Sequence, residues 1–247
     1  MTNIKLQIIK ECRSTNSSLI KLANKGYPEG HSLLSINQTG GKGTRKKKWI
    51  SIPGNLFLST LIRPNVEVKK LSQISIVFGL SLFQFIKSLG INKDKIRIKW
   101  PNDILIESKK VSGILVERFD NFCVIGVGLN INFCPNEKKL GIKSTCLNNY
   151  INTSEFKLSK LSSSLLDIFY KNYKIWLTDF LNPFLNQINS NLAFLNGKAN
   201  FNHNNIIKSG KIIGINSDGN LKILLNNNNH LYVTSSESII YEGNKCF

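Results

Sequence analysis

The sequence predicts an α+β fold, with a larger domain over residues 1–193 and a small all-β domain over residues 194–247. Helical and strand-like apolar patterns are mixed in the first part of the chain, whereas short strand-like runs and glycine turns follow residue 194. A length of 247 residues suits one large domain with a small appendage. The C-terminal signals are Phe194 to Gly197, Gly210, Gly214 and the hairpin dipeptide Asp218-Gly219.

The first predicted elements are a strand, a capped helix and two further strands. Ser14, Thr15 and Asn16 offer side chains that cap a helix N-terminus, and Gly26 ends the helical pattern that follows. A turn over Pro53, Gly54 and Asn55 precedes the third strand. The predicted strands are 6–9, 31–36 and 56–61.

Two long helices are predicted, one before and one after a group of four strands along the chain. Apolar residues recur at helical spacing from Ile74 to Leu89 and again from Leu158 to Phe180, before Pro183 interrupts the pattern. Pro101 cannot continue a central strand, so a turn or bulge is expected at residues 102–103. The four predicted strands are 96–100, 104–106, 111–117 and 123–131.

Composition disfavours several classes of protein. No uncharged apolar run reaches the roughly 18 residues of a membrane span, the nearest being Ile74 to Ile86. The N-terminus lacks a secretory signal, so an intracellular, cytoplasmic protein is expected. Five cysteines without a C-x-x-C pair suggest neither a disulfide framework nor a zinc ribbon. The histidines have no metal-ligand spacing, and no G-x-S-x-G nucleophile motif is present.

The chain is strongly basic, with a net charge of +18 and a pI near 9.8. This charge fits a nucleic-acid surface, a site for anionic substrates, or a lysine-rich surface without local meaning. The clearest cluster lies in the segment Gln38–Trp49, here called the basic loop, which combines glycines with five cations and a terminal indole. Such a loop suits a nucleotide, although a solvated basic loop remains an alternative.

Three further segments carry polar groups next to glycines or strand ends. They are Lys99-Trp100-Pro101-Asn102-Asp103, the run from Lys110 to Glu117 containing Gly113-Ile114-Leu115, and Gly126-Val127-Gly128-Leu129-Asn130. Glycines allow a ligand to approach the backbone closely, and asparagines provide both donors and acceptors. Each segment is also compatible with an ordinary turn or strand.

In this order, these segments resemble the biotin protein ligases. The family pattern begins with Ser-Thr-Asn, as at Ser14–Asn16, and continues with a Gln and a glycine/arginine loop ending in Trp, as in the basic loop. Lys-Trp-Pro-Asn-Asp is matched without change. A lysine followed by Gly-Ile-Leu, a Gly-x-Gly-Leu-Asn strand and, more weakly, Ser144–Leu147 complete the match.

The resemblance implies a mixed-sheet catalytic domain of the biotin/lipoate ligase type, followed by a small SH3-like β-barrel. It implies that ATP and biotin, with Mg²⁺, give biotinyl-5′-AMP, from which biotin passes to a lysine of a biotin carboxyl carrier protein. Some members carry an N-terminal DNA-binding domain. Because Ser14 comes so early, a ligase-only form without specific nucleic-acid or membrane binding is expected, and the oligomeric state stays open, a homodimer included.

The resemblance also implies roles for individual residues, with no protein metal site. Lys110 and Lys42 would neutralise the carboxylate and the α-phosphate, and Asp103 would orient or deprotonate the acceptor lysine. The implied biotin-binding residues are Ser14, Thr15, Asn16, Gln38, Lys42, Gly43, Thr44, Lys110 and Gly113. The implied nucleotide-binding residues are Arg45, Lys47, Trp49, Asn102 and Asn130.

The basic loop departs from the family pattern, in which arginines are usual. Lys42 and Lys47 replace two of them, Lys46 stands where the pattern has a glycine, and Thr44 replaces an arginine that in relatives helps to hold the adenylate. Lysine is a point charge rather than a bidentate fork, and threonine carries no charge. The sequence therefore predicts a biotinyl-AMP intermediate that dissociates faster than in an arginine-bearing relative.

Two other functions compete with this interpretation. Lipoate or octanoate ligases share the catalytic fold, but the basic loop ending in Trp49 is typical of the biotin branch. A basic nucleic-acid-binding protein would explain the charge, yet it would give no role to Lys-Trp-Pro-Asn-Asp or Gly-Ile-Leu.

Overall fold

Seven strands form a mixed sheet in the order β1-β2-β3-β7-β6-β5-β4. The computed structural model describes residues 3–136, 142–203, 206–235 and 239–241, so Cys246 and the end of the predicted C-terminal domain lie outside the described residues. Strands β1 and β2 are parallel, and all other neighbours are antiparallel. The strands are β1 Lys5–Cys12, β2 His31–Gln38, β3 Leu56–Ile62, β4 Ile96–Lys99, β5 Asp103–Ile106, β6 Lys109–Arg118 and β7 Cys123–Leu129.

The parallel pair is connected by the first helix, α1 (Thr15–Asn24). Ser14 caps it as predicted, its hydroxyl accepting a 3.5 Å hydrogen bond from the Ser17 amide. The helix ends before Gly26, which has a φ of +85° that only glycine adopts easily. Because α1 begins just after β1 ends at Cys12, Thr15 and Asn16 lie beside Gln38 at the end of β2 and over Ser59 of β3.

Two long helices pack together on the sheet and form the main core. Helix α2 (Ile74–Ser88) is buried along most of its length, and α3 (Leu158–Asp179) contributes Phe169, Tyr173 and Trp176. The segment 68–88 is long and apolar enough to cross a membrane, but 67% of its most apolar window is buried inside the protein. Its position in the core therefore accounts for its composition.

A second sheet of five strands follows in the order β11-β10-β9-β8-β12 and confirms the small C-terminal β unit. Its strands are β8 Lys198–His203, β9 Ile206–Ile215, β10 Leu221–Leu225, β11 His230–Val233 and β12 Ile239–Tyr241, with helix α4 (Leu185–Ser190) before them. The predicted Asp218-Gly219 turn connects β9 and β10, with Gly219 at a φ of +86°. The division into domains at residues 193 and 194 stays a prediction.

The two sheets are joined by hydrogen bonds from the core to this turn. The Trp100 indole, which is 5% exposed, donates a 2.8 Å bond to the Gly219 carbonyl. Gln73 Nε2 donates to the Ser217 carbonyl at 3.1 Å. Trp100 thus connects the strand ends of the larger sheet to the C-terminal unit.

The predicted strands and helices are confirmed, with two differences near functional residues. Asp103 is the first residue of β5 rather than part of a turn, because it pairs with Lys99 and Gly113. Asn130 follows the end of β7 instead of lying within it. The cysteines of the described residues, Cys12, Cys123, Cys134 and Cys146, are free thiols.

Replacing Trp100 with Phe should lower the free energy of unfolding by about 1–3 kcal/mol. The change removes the indole hydrogen bond to Gly219 and leaves a buried carbonyl without that donor. Urea denaturation of both proteins measures the difference. An unchanged midpoint with an unchanged slope would show that the bond does not stabilise the fold.

Candidate active site

A pocket lies between the start of α1, the basic loop and strands β6 and β7. Its polar groups come from the start of α1, the basic loop, Asn102, Asp103 and Lys110, whereas glycines of β6 and β7 form its floor. The lining residues are Ser14, Thr15, Asn16, Gln38, Lys42, Gly43, Thr44, Trp49, Asn102, Asp103, Lys110, Gly113, Ile114, Leu115, Gly126, Val127 and Gly128.

One wall of the pocket is a hydrogen-bond network around Gln38. Its Oε1 accepts from the Thr15 amide at 2.8 Å and from the Thr15 hydroxyl at 3.1 Å. Its Nε2 donates to the Ser51 hydroxyl at 3.2 Å. Because a carboxamide nitrogen carries two protons, Gln38 keeps one donor for a ligand while its oxygen is already engaged.

Asn16, next to Gln38, presents a hydrogen-bond acceptor instead of a donor. Its Nδ2 donates to Glu117 Oε2 at 2.8 Å and to the Leu115 carbonyl at 3.4 Å. The buried Ser59 hydroxyl lies 2.6 Å from Asn16 Oδ1 and 2.7 Å from Thr15 Oγ1. Both amide protons of Asn16 are engaged, so it offers a ligand the remaining lone pair of Oδ1.

The pocket floor has no side chains at three positions. A Cβ atom at Gly126 would overlap Asn16, and one at Gly128 would overlap the Trp49 indole. A Cβ at Gly113 would lie 3.1 Å from both Trp49 and Lys110. These glycines are therefore needed for space, and the indole lies directly on the floor with its Nε1 buried and without a hydrogen-bond partner among the described groups.

Lys110 and Asp103 form an ion pair within the pocket. Lys110 Nζ lies 2.7 Å from Asp103 Oδ1, and the two side chains are 22% and 15% exposed. Lys110 Nζ is also 5.7 Å from the centre of the Trp49 ring, within range of a cation–π interaction. The ammonium group is thus fixed between a carboxylate and an aromatic face.

Lys99, which pairs with Asp103 across strands β4 and β5, has an amine with a lowered pKa. Burial lowers the pKa of Lys99 to about 8; Asp103 opposes this shift, and the positive charges of Lys110, Lys47 and Arg45 add to it. Burial is the largest cause of this drop in pKa, and the smaller contributions of the three cations show that their positive potential reaches Lys99. The region therefore favours binding of an anion.

Lys42, on the basic loop, faces a second carboxylate. Its Nζ lies 3.6 Å from Glu117 Oε1, with side chains 48% and 26% exposed. An ion pair of this length and exposure adds little stability. Lys42 is therefore held near the pocket but is free to exchange Glu117 for another anion.

The basic loop continues into a wide groove beside the pocket. Arg45 and Lys46 have left-handed backbone conformations, with φ of +56° and +59°, so their side chains leave the loop in directions that an extended segment would not allow. The groove is lined by cations of the loop and by Arg13 and Lys21 near α1. A polyanion therefore meets several positive charges next to the pocket.

Most of the predicted site residues come together in the pocket. Arg45 and Lys47 line the adjacent groove. Asn102 lines the pocket and also holds Ile114, donating to its carbonyl and accepting from its amide, both at 2.9 Å. Asn130 lies outside the lining: it is buried and donates to the Thr145 carbonyl at 3.0 Å, so its predicted nucleotide contact stays a prediction.

Sequence reasoning missed three residues that support the site: Ser51, Ser59 and Glu117. The two serines have no local motif, since they reach Gln38 and Asn16 only through the paired strands and the loop. The sequence pattern could have indicated Glu117. On β6 it shares a strand face with Gly113 and Leu115 because side chains alternate.

Within the described residues, no group of three or more His, Cys, Asp or Glu side chains could hold a metal ion. The carboxylates nearest to the pocket, Asp103 and Glu117, each face a lysine. This donor set does not form a metal site of its own.

The fold and the pocket together define a protein with a concave binding site over a floor of glycines. Two side-chain amides held by hydrogen bonds and two lysines paired with carboxylates surround this site. The chain belongs to the Biotin/lipoate A/B protein ligase family, whose model matches residues 9–132.

Two curated relatives each match about half of the chain. The bifunctional ligase/repressor BirA of Bacillus subtilis is 37% identical over 131 residues, covering 50% of this chain and 39% of its own length. The biotin--[acetyl-CoA-carboxylase] ligase of Mycobacterium tuberculosis is 32% identical over 136 residues, covering 53% and 51%. The matches thus span about half or less of each relative.

A solved structure resembles nearly the whole chain. The biotin protein ligase of Aquifex aeolicus, in complex with biotin and ATP, superposes with a TM-score of 0.82 at 26% identity, covering 96% of this chain and 99% of that one. A ligase from Leishmania major with biotinyl-5-AMP has a TM-score of 0.61 at 17% identity and supports the fold alone. The predicted mixed-sheet fold of this family is therefore confirmed.

Replacing Gly128 with Ala should push the Trp49 indole off the pocket floor, because the added methyl group would overlap the ring. We expect tryptophan emission to shift to longer wavelength and stability to fall by less than about 1 kcal/mol, since the ring belongs to a surface loop and can move. The same substitution in a Trp49→Phe background is the control, where no shift is expected. An unshifted spectrum would show that the indole does not rest on Gly128.

Proposed function

We propose that this chain is an ATP-dependent biotin–protein ligase that forms biotinyl-5′-AMP and transfers biotin to a lysine of a biotin carboxyl carrier protein. The observation that carries the proposal is that one pocket combines fixed donors and acceptors for a cyclic urea with two lysines for a carboxylate. The names of the relatives and the biotin and ATP bound to the Aquifex enzyme support the same activity.

The amide groups suit the ureido ring of biotin, which has one carbonyl acceptor and two N–H donors. Gln38 keeps an unused donor for the carbonyl, and Asn16 keeps an unused acceptor for an N–H. Groups already held by protein hydrogen bonds lose little entropy when the ligand binds. A ring without this polarity would leave these buried groups without partners.

The lysines suit the first chemical step. An oxygen of the biotin carboxylate forms a bond to the α-phosphorus of ATP, and the bond from that phosphorus to the bridging oxygen of the β-phosphate breaks, which releases pyrophosphate. The two reactants are both anions and repel each other. Lys110 and Lys42 would reduce this repulsion and stabilise the charge that develops on the phosphate.

In the second step the ε-amine of the acceptor lysine attacks the acyl carbon of the mixed anhydride, and AMP leaves with the electron pair of the broken C–O bond. The amine must lose a proton to become an amide. Asp103 is a candidate for orienting it or accepting this proton. Since Asp103 is paired with Lys110 at 2.7 Å, departure of the anion that Lys110 binds would affect both groups together.

The nucleotide would lie along the basic loop, with Arg45 and Lys47 near its phosphates and Trp49 against adenine. Mg²⁺ would accompany the phosphates, because this ion is usually held by substrate phosphates and one or two carboxylates. Among the residues that line the pocket, Asp103 is the carboxylate that could contribute. The bound ion would neutralise phosphate charge.

The carrier protein, location and assembly belong to the same proposal. A positive surface would attract an acidic carrier domain, and free cysteines suit a reducing cytoplasm. The C-terminal unit would be an SH3-like barrel that closes one side of the site. The homodimer and the lack of specific binding to nucleic acid or membranes stay predictions.

With ATP and Mg²⁺, the protein should convert biotin to biotinyl-AMP, detected by mass spectrometry. Lys110→Ala should lower the rate about 100-fold or more, because it removes a charge that stabilises the transition state. Lys109→Ala, which changes an exposed neighbour on the same strand, is the matched control and should retain the rate.

ATP–pyrophosphate exchange, measured with biotin, lipoate and octanoate in turn, separates the competing activities. Pyrophosphate exchange with either acid but not with biotin would transfer the proposal to the lipoate branch of the family. Near-normal exchange in Lys110→Ala would remove Lys110 from its assigned role.

Thr44→Arg should slow dissociation of biotinyl-AMP about tenfold, equivalent to about 1.4 kcal/mol. An arginine can form two hydrogen bonds to a phosphate, whereas Thr44 has no charge. Release of radiolabelled intermediate in a chase experiment gives the half-time. Thr178→Arg adds the same charge at the exposed end of α3 as a control, and equal half-times in all three proteins would contradict the prediction.

A further inference from the structure

Glu117 is close to the pocket residues but lies outside the set that sequence reasoning selected. It is near the C-terminal end of β6, on the strand face that also carries Gly113 and Leu115. Its side chain is 26% exposed, so part of its carboxylate is withdrawn from solvent. Burying part of a carboxylate beside a site for anions costs free energy, so contacts that offset this cost are expected.

The two carboxylate oxygens have different partners. Oε2 accepts the 2.8 Å hydrogen bond from Asn16 Nδ2, and Oε1 lies 3.6 Å from Lys42 Nζ. The first contact is short and involves a side chain that is 3% exposed. The second involves a lysine that is half exposed to solvent. The contact with Asn16 is therefore the stronger of the two.

This contact decides how the Asn16 amide is oriented. With Nδ2 toward Glu117 and the Leu115 carbonyl, both amide protons meet acceptors, and Oδ1 meets the Ser59 hydroxyl. Rotating the amide by half a turn would place Oδ1 against the carboxylate and the carbonyl, so that acceptors would face acceptors. Asn16 also has no room to move away, because it lies directly over Gly126.

We propose that Glu117 is a positioning residue for biotin recognition, which acts by fixing the Asn16 amide so that Oδ1 is presented as an acceptor to the ureido N–H. The inference rests on the proposed function. It assigns Glu117 no direct contact with the reacting atoms. Its effect should consequently be on binding of the ring system and not on the rate of the chemical step.

The test compares Glu117→Ala with Glu117→Gln by isothermal titration with biotin and with the alcohol that lacks its carboxylate. Glu117→Ala should weaken both ligands about tenfold, because the Asn16 amide loses the partner that orients it. Glu117→Gln should stay within about twofold of the wild type, since a glutamine Oε1 can still accept from Asn16. At saturating biotin, Glu117→Ala should retain its turnover number and its KM for ATP.

Glu11→Ala, which removes an exposed carboxylate hydrogen-bonded to Asn37, is the matched control and should bind both ligands normally. Equal losses in the alanine and glutamine variants would overturn the proposal, because charge and not hydrogen bonding would then matter. Loss of biotin affinity without loss of alcohol affinity would also overturn it by assigning Glu117 to Lys42. If Glu117→Ala does not fold, Glu117→Met takes its place in the comparison with Glu117→Gln, because methionine keeps the length of the side chain but offers Asn16 no carbonyl or carboxylate acceptor.

A wild-type protein that binds neither ligand would overturn the proposed function itself. That result differs from all the outcomes in which only a Glu117 variant fails.

Discussion

The site depends on a floor without side chains. Strands β6 and β7 are antiparallel neighbours, and their register places Gly113 opposite Gly128. Any Cβ at Gly126 or Gly128 would occupy the space that Asn16 and Trp49 fill. The start of α1 and the end of the basic loop can therefore approach the sheet only because these positions are glycine, and the pocket is the space between the three segments.

This floor must be kept rigid, since glycine adds backbone freedom where the site needs fixed geometry. Hydrogen bonds from the neighbouring segment 100–102 hold it in place. Asn102 exchanges two hydrogen bonds with Ile114 on β6, and Trp100, two residues earlier, is bonded to the C-terminal unit at Gly219. One short motif thus contributes to the pocket through Asp103, braces its floor through Asn102 and attaches the second sheet through Trp100.

The elements were predictable because their signals are local. Ser14 and Gly26 delimit α1, Pro183 limits α3, and alternating apolar residues mark the strands. Partners far apart in sequence were not predictable from residues alone: Ser59 meets Asn16 only once β3 is placed beside α1. The amide of Asn130 donates to the Thr145 carbonyl, a contact between distant residues that the sequence does not indicate, and its predicted nucleotide contact stays a prediction.

Electrostatics explains why a protein with a net charge of +18 does not present its site as a bare positive cavity. Lys110 is paired with Asp103 and Lys42 with Glu117, so each lysine is held in position by an internal carboxylate before any ligand arrives. The two pairs differ in burial, and with it in strength. The more exposed Lys42 pair is readily exchanged for a substrate anion, whereas the less exposed Lys110 pair at 2.7 Å keeps its geometry. A site arranged in this way can admit a carboxylate and a polyphosphate without rebuilding itself, because the cations are already where the negative charge will be.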